Sequence, residues 1–262
     1  MSTVLAAFLA RVAVRPSEPW LFEPKGLDWQ WWSFASVARW VELAAEGLVG
    51  QPAGSRLPRP TEPSVAAVVT QLAIRAAGHY GAAEGGEAWQ LPSPPAANLT
   101  EWRGSLGRAR KEAGTLRAGK EADTWLEVGE EAAFDLAERL GAGAERDVTV
   151  VAGSLADPVA ARLLDWATVT GAAVLLEPRA AAGLATARWA RATVLAGTAA
   201  ELAEWHRATA FDLSPRRWRL SPAGRLRVWL LAGEEPPAAD LAAFWTERGV
   251  AILPLEPTEV GP

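Results

Sequence analysis

The chain has 262 residues, enough for one large domain or two small ones and for a substantial core. Its formal net charge of −5 argues against a general nucleic-acid binder, and its lack of cysteine excludes disulfides, thiolate metal sites and a cysteine nucleophile. The two histidines, His79 and His206, are too few for a multi-histidine metal centre.

The first elements follow from apolar spacing and caps. Val4 to Val12 has helical periodicity and ends before Pro16. Trp20-Leu21-Phe22 reads as a strand closed by Pro24-Lys25-Gly26, and Trp29 to Trp32 pairs with it as a hairpin. Ser33 is the N-cap of a helix from Phe34 to about Ala45, stopped by Gly47. Pro58 and Pro60 argue against a strand over 57–60. Pro63 to Ala77 is a helix, Trp89 to Leu91 a short strand, and Ser93 to Asp123 a polar loop.

From Thr124 the pattern alternates. Helices are expected over 129–140, 157–169, 181–190, 198–207 and 238–248, and strands over 147–152, 172–176, 193–196, 226–231 and 250–253. Strands alternating with helices across short turns mean βαβ units and mostly parallel sheets, with helices on both faces. The expected division is an N-terminal sub-lobe, 1–123, and a βαβ sub-lobe, 124–262.

No apolar run reaches the length of a membrane span: the best, Val65 to Ala77, is broken by Thr70, Gln71 and Arg75. Met1 to Val14 lacks a leading basic region and is interrupted by Arg11, which makes a poor signal peptide. The expected location is the cytoplasm. The Ala- and Arg-rich composition fits the coding bias of a high-GC, bacterial genome. The 14 tryptophans against one tyrosine serve core packing or an aromatic interface.

Common catalytic signatures fail. Gly141-Ala142-Gly143 follows a helix and precedes a strand, the wrong order for a dinucleotide loop. Gly114 to Lys120 has Walker A spacing, but Glu121 replaces the hydroxyl that binds Mg²⁺. Gly153-Ser154-Leu155 is not a nucleophile elbow.

The order of short motifs resembles the large N-terminal domain of the adenylate-forming superfamily, which includes acyl-CoA synthetases, peptide-synthetase adenylation domains and luciferases. Trp32-Ser33-Phe34 opens a helix as that family's W-[ST]-[YF] does. Ala113 to Glu121 stands where the phosphate loop belongs. Asp147 to Val151, Ala172 to Pro178 and Ala192 to Thr198 follow the family's strand sequence. Leu226 to Pro236 is similar to its L-R-x-x-x-x-G-G-E-P-L stretch, and Leu255 to Pro262 to its Y-G-x-T-E-x-G-P motif.

The resemblance implies residual nucleotide contacts at Gly114, Thr115, Lys120, Gly233, Glu234 and Thr258, and a Mg²⁺ contact at Glu259 if ATP binds. It implies ATP or AMP with Mg²⁺ as cofactors. The motifs are eroded, however. Arg117 and Glu121 replace glycines of the phosphate loop, Ala156 and Asp157 hold the aromatic-plus-histidine position, and Leu255 replaces the tyrosine that stacks on adenine. The sequence stops at Pro262, before the family's C-terminal domain and catalytic lysine. The expected function is therefore a non-catalytic, adenylation-domain-like protein with no catalytic residue, binding a partner protein or a residual acyl or nucleotide ligand in the old cleft. One alternative is a carboxylate–AMP ligase completed by a separate C-terminal domain. Another is a structural subunit that uses its tryptophans as interface anchors.

Overall fold

Hydroxyl side chains start the first three helices. Thr3, Ser33 and Ser64 each accept a hydrogen bond from the backbone N–H three residues on, at 3.1 Å in every case, which satisfies donors that a helix start leaves unpaired. In the computed structural model, the described residues are 3–26, 28–52, 55–58, 60–82, 91–94, 123–141, 144–209, 218, 221 and 224–255. The three helices are α1 (Val4–Val14), α2 (Phe34–Glu46) and α3 (Val65–Ala76). Between the first two, β1 (Pro19–Lys25) and β2 (Asp28–Ser33) form the expected antiparallel hairpin.

Prolines do not prevent a strand after α2. Residues Arg56–Pro58 form β3, which pairs in parallel with β4 (Tyr80–Ala82), an element the sequence pattern does not announce. The sheet has two strands only, so a proline N–H missing from the ladder faces an edge and costs little. Of the strand expected at 89–91, Trp89 and Gln90 lie outside the described residues and Leu91 is in no strand.

The second half alternates as expected. In order come α4 (Asp123–Leu140), β5 (Val148–Ala152), α5 (Pro158–Thr170), β6 (Ala173–Glu177), α6 (Gly183–Ala190), β7 (Val194–Gly197), α7 (Ala199–Thr209), β8 (Val228–Ala232), α8 (Ala239–Glu247) and β9 (Ala251–Leu255). α4 begins six residues before the expected start at 129, and Gly171 in the left-handed conformation ends α5.

Two sheets carry the site. One has the order β2-β1-β6-β5 and the other β7-β8-β9, with parallel pairing everywhere except in the hairpin. β1 pairs with β6 through Leu21↔Val174 and Phe22↔Leu175, so the first sheet takes strands from both ends of the sequence.

Apolar residues cover both faces of these sheets. One cluster contains Phe8, Trp20, Phe34, Val68, Leu163, Trp166 and Val174; a second contains Val150, Leu195, Leu202, Trp205, Trp229 and Trp245. This is why β5 to β8 read as nearly continuous apolar runs. Six tryptophans (Trp20, Trp166, Trp205, Trp218, Trp229 and Trp245) are fully buried and fill core. Among the described residues Trp31 and Trp189 are the exposed ones, at 55% and 64%. A paired Arg75 and Asp165, at 2.9 and 3.0 Å, ties α3 to α5.

Candidate functional site

The two sheets are pinned at one end. At the amino-terminal ends of the strands, the Thr193 N–H donates to the Val148 carbonyl at 2.9 Å, and the Arg227 N–H donates to the Thr193 carbonyl at 2.8 Å. The Asp147 carboxylate sits among these strands. It accepts from Nε of Arg227 at 2.8 Å, from Nη2 of the same guanidinium, and from the Thr193 hydroxyl at 2.8 Å. Hydrogen bonding to Asp147 raises the Arg227 pKa above the ordinary arginine value.

At the carboxyl ends the tie is different. The Gly153 N–H donates to the Glu177 carbonyl at 3.1 Å, so β5 stays joined to β6 rather than to β7. The gap between β5 and β7 opens into a cleft of about 440 Å³. A crevice at the carboxyl ends of parallel strands, where two sheets part, is where open α/β folds place ligands.

The lining has an apolar interior and a polar mouth. Val150, Val151, Ala160, Leu163, Leu195 and Trp229 are among its buried members. Ser154, Asp157, Thr198 and Glu201 bring oxygen atoms to the mouth, and Asp157, Thr198 and Glu201 are exposed. Asp157 caps α5 by accepting from the Val159 N–H at 2.8 Å. Thr198 and Glu201 form a reciprocal cap on α7: the Thr198 N–H donates to Glu201 at 2.7 Å, and the Glu201 N–H donates to the Thr198 hydroxyl at 3.2 Å. Among the described residues, no lysine, arginine or histidine lines this cleft.

Beside the cleft, the Glu177 side chain has no exposed surface and accepts from the Arg179 guanidinium at 2.7 and 3.0 Å. It also accepts from the Arg179 N–H at 3.1 Å and the Thr186 hydroxyl at 3.0 Å. The bond from Arg179 is the main cause that lowers the Glu177 pKa, against the opposing effect of burial.

Three glycines let the backbone close on the cleft. A Cβ on Gly183 would lie 2.8 Å from the Ala152 Cβ. One on Gly197 would lie 2.8 Å from Glu201 Oε2 and 3.0 Å from Trp229 Cζ2, and one on Gly153 would lie 3.3 Å from the Ala180 Cβ. A second, open groove of about 770 Å³ runs between α6 and α7, lined among others by Arg188, Trp189, Glu204 and Trp205. Leu184 borders both spaces.

Of the residues singled out in the sequence, Gly233 and Glu234 directly follow β8, whose last residue, Ala232, lines the cleft. Both are exposed, and Gly233 has a φ of 88°. Gly114, Thr115, Lys120, Thr258 and Glu259 lie outside the described residues, as do Arg117, Glu121 and Glu256. Asp157 is at the mouth, and Leu255 ends β9. His79 and His206 do not line the cleft. No group of acidic or histidine side chains suited to a metal ion occurs among the described residues. No helix among them is long and apolar enough to cross a membrane. Sequence reasoning missed Gly197, Glu201 and Trp229. The T-A-A-E spacing of Thr198 and Glu201 is a visible capping-box signal, whereas nothing local marks Trp229 as cleft-lining.

No family model and no curated protein matches the chain. Solved structures do match in fold. The N-terminal domain of FACL13 from Mycobacterium tuberculosis superposes with a TM-score of 0.63 at 13% identity, over 97% of this chain and 75% of that one. The anthranilate CoA ligase AuaEII, in complex with anthranoyl-AMP, gives 0.60 at 17% identity, over 96% and 58%. The AMPPNP-bound form of the nonribosomal peptide synthetase FmoA3 gives 0.64 at 15% identity, over 97% of this chain and 31% of that one. The architecture is thus that of the N-terminal domains of acyl-CoA synthetases and peptide-synthetase adenylation domains. The chain spans from about a third to three quarters of the lengths of these three proteins.

Proposed function

We propose that this chain is a ligand-binding protein on an adenylate-forming N-terminal-domain scaffold, and that by itself it does not form acyl-adenylates. The observation that carries the reading is the 440 Å³ cleft between β5 and β7, apolar within and ringed by oxygen atoms. Adenylation expels pyrophosphate, and catalysis of that step needs donors or cations fixed where negative charge develops. The described lining offers Asp157 and Glu201 there, which would repel a phosphate chain. The described lining therefore does not favour a nucleoside triphosphate. The lining does fit a small molecule with an apolar body and a hydrogen-bonding end, bound without turnover.

A partner-binding role draws on a different place. Trp189 stacks on Trp29, with ring centroids 5.5 Å apart, and Trp31 stands exposed on the same hairpin. Exposed tryptophans of this kind anchor protein interfaces.

The test is direct. The purified chain is assayed for carboxylate-dependent ATP–pyrophosphate exchange and titrated with AMP and ATP·Mg²⁺ by calorimetry. The expected result is no exchange and no saturable heat from ATP·Mg²⁺. Exchange by this chain alone would overturn the reading and restore a carboxylate–AMP ligase. Exchange only after adding a separate C-terminal domain would support a ligase split between chains.

A further inference from the structure

We propose that the groove between α6 and α7 is a second ligand site, separate from the cleft, and that it takes a flat aromatic anion. This goes beyond the cleft reading and does not depend on it. The groove encloses about 770 Å³, within the range of small-molecule sites. Leu184 and the fully buried Trp205 give it an apolar floor. Trp189 lines it from α6 and is largely exposed. Trp29 of β2 stacks on that indole, with ring centroids 5.5 Å apart and planes 15° apart. The stack holds the Trp189 ring in place and leaves aromatic surface on which a further ring can pack.

Arg188 and Arg191 supply the charge. Both line the groove and are exposed, and among the described residues neither guanidinium has an acidic partner. Glu204 is the one acid in the described lining, so positive charge exceeds negative there. A guanidinium fork matches the paired oxygens of a carboxylate, sulfonate or phosphate.

The backbone at Arg191 is an independent sign. It ends α6 with a φ of 56° and is the one non-glycine with a positive φ among the described residues. Gly171 fills the equivalent place after α5, as is usual for a left-handed helix end. A side chain with a Cβ is strained in that conformation, and such strain collects at ligand sites. An arginine held there against its backbone preference is explained if its charge is used in the groove.

Naphthalene-2-sulfonate is the probe, with neutral naphthalene-2-sulfonamide and ring-free methanesulfonate as controls. The full-length chain is titrated with each by calorimetry. The expected result is saturable binding of the sulfonate, about tenfold weaker binding of the sulfonamide and none of methanesulfonate. Arg188→Gln, Arg191→Gln and Trp189→Ala should each weaken the sulfonate by about fivefold. Arg191→Gly should weaken it as much while raising the melting temperature by about 2 °C, because the strain is relieved. Wild-type protein that does not bind the sulfonate overturns the proposal. So does binding that survives all three groove variants but is lost in Ala160→Leu, which would place the anion in the cleft. A lower melting temperature in Arg191→Gly would show that the arginine is kept for the fold, and would overturn its assignment to the site.

Discussion

Replacing Arg227 with alanine should damage this protein more than replacing its partner Asp147. The Asp147 side chain is 5% exposed and that of Arg227 36%, so the two ends of the pair sit in different surroundings. Removing Arg227 strands a buried carboxylate that, among the described residues, keeps the Thr193 hydroxyl as its side-chain donor. Breaking a fully buried pair in this way costs about 3–5 kcal/mol. Partial access of water to Arg227 screens the interaction and brings the expected cost to about 2–3 kcal/mol. Removing Asp147 leaves a guanidinium that water can reach and that still donates to the Leu140 carbonyl at 3.3 Å, so the expected cost is about 1–2 kcal/mol. With a urea slope of about 3 kcal/mol/M for a chain of this size, Arg227→Ala should lower the unfolding midpoint by roughly 1 M. The double variant should cost less than the sum of the singles, because the two groups act as one unit. Urea titrations of the four proteins measure all of this. An Arg227→Ala cost below about 0.5 kcal/mol would class the pair with exposed ion pairs and refute the idea that it pins the two sheets.

Three further outcomes follow from local geometry. Gly171→Ala should destabilise by about 1–2 kcal/mol in thermal melts, because the residue has a φ of 79° and its Cβ would meet Arg11 Cδ at 3.2 Å. His206, held in edge contact with Phe244 and Trp245, has its pKa lowered by burial and then by the Arg248 charge. Its contribution to stability is complete above the unfolded value of about 6.5 and declines as pH falls below it, because the unfolded chain then takes the proton first. His206→Phe should flatten the decline in melting temperature just below neutrality, and an unchanged slope would refute this. Glu177 has its pKa lowered, so it stabilises the fold above the unfolded carboxylate value and loses that contribution as pH drops through the folded one. Glu177→Gln should reduce stability at neutral pH and shrink the acid-side slope between pH-dependent melts.

Much of the fold is legible in the sequence because it is written in local terms. Ser33 before Phe34 is the expected N-cap, while Asp157 before Pro158 and Gly171 after Thr170 mark the ends of α5 through a single hydrogen bond and a left-handed residue. The apolar runs of β5 and β6 announce strands covered on both faces. Proline was the misleading signal at β3, since its cost depends on whether the strand lies at an edge, and edges belong to the sheet rather than to the residue. The short β4 has too few residues for any periodicity.

The site divides in the same way. The resemblance directs attention to Asp157 after β5 and to Gly233 and Glu234 after β8; Asp157 lines the cleft, as does Ala232 at the end of β8. The capping pair Thr198 and Glu201 is readable from its spacing, since both partners lie in one helical turn. The pin of Asp147 to Arg227 joins residues 80 apart, and Trp229 reaches Gly197 across 32. No local pattern encodes such pairings, because they depend on which strands become neighbours when the two sheets meet. The sequence by itself determined the elements, their caps and their buried faces, through periodicity and short-range hydrogen bonds. Only the tertiary structure decided that β5 and β7 are held together at one end and parted at the other, and that Trp229 is brought into the lining of the space between them.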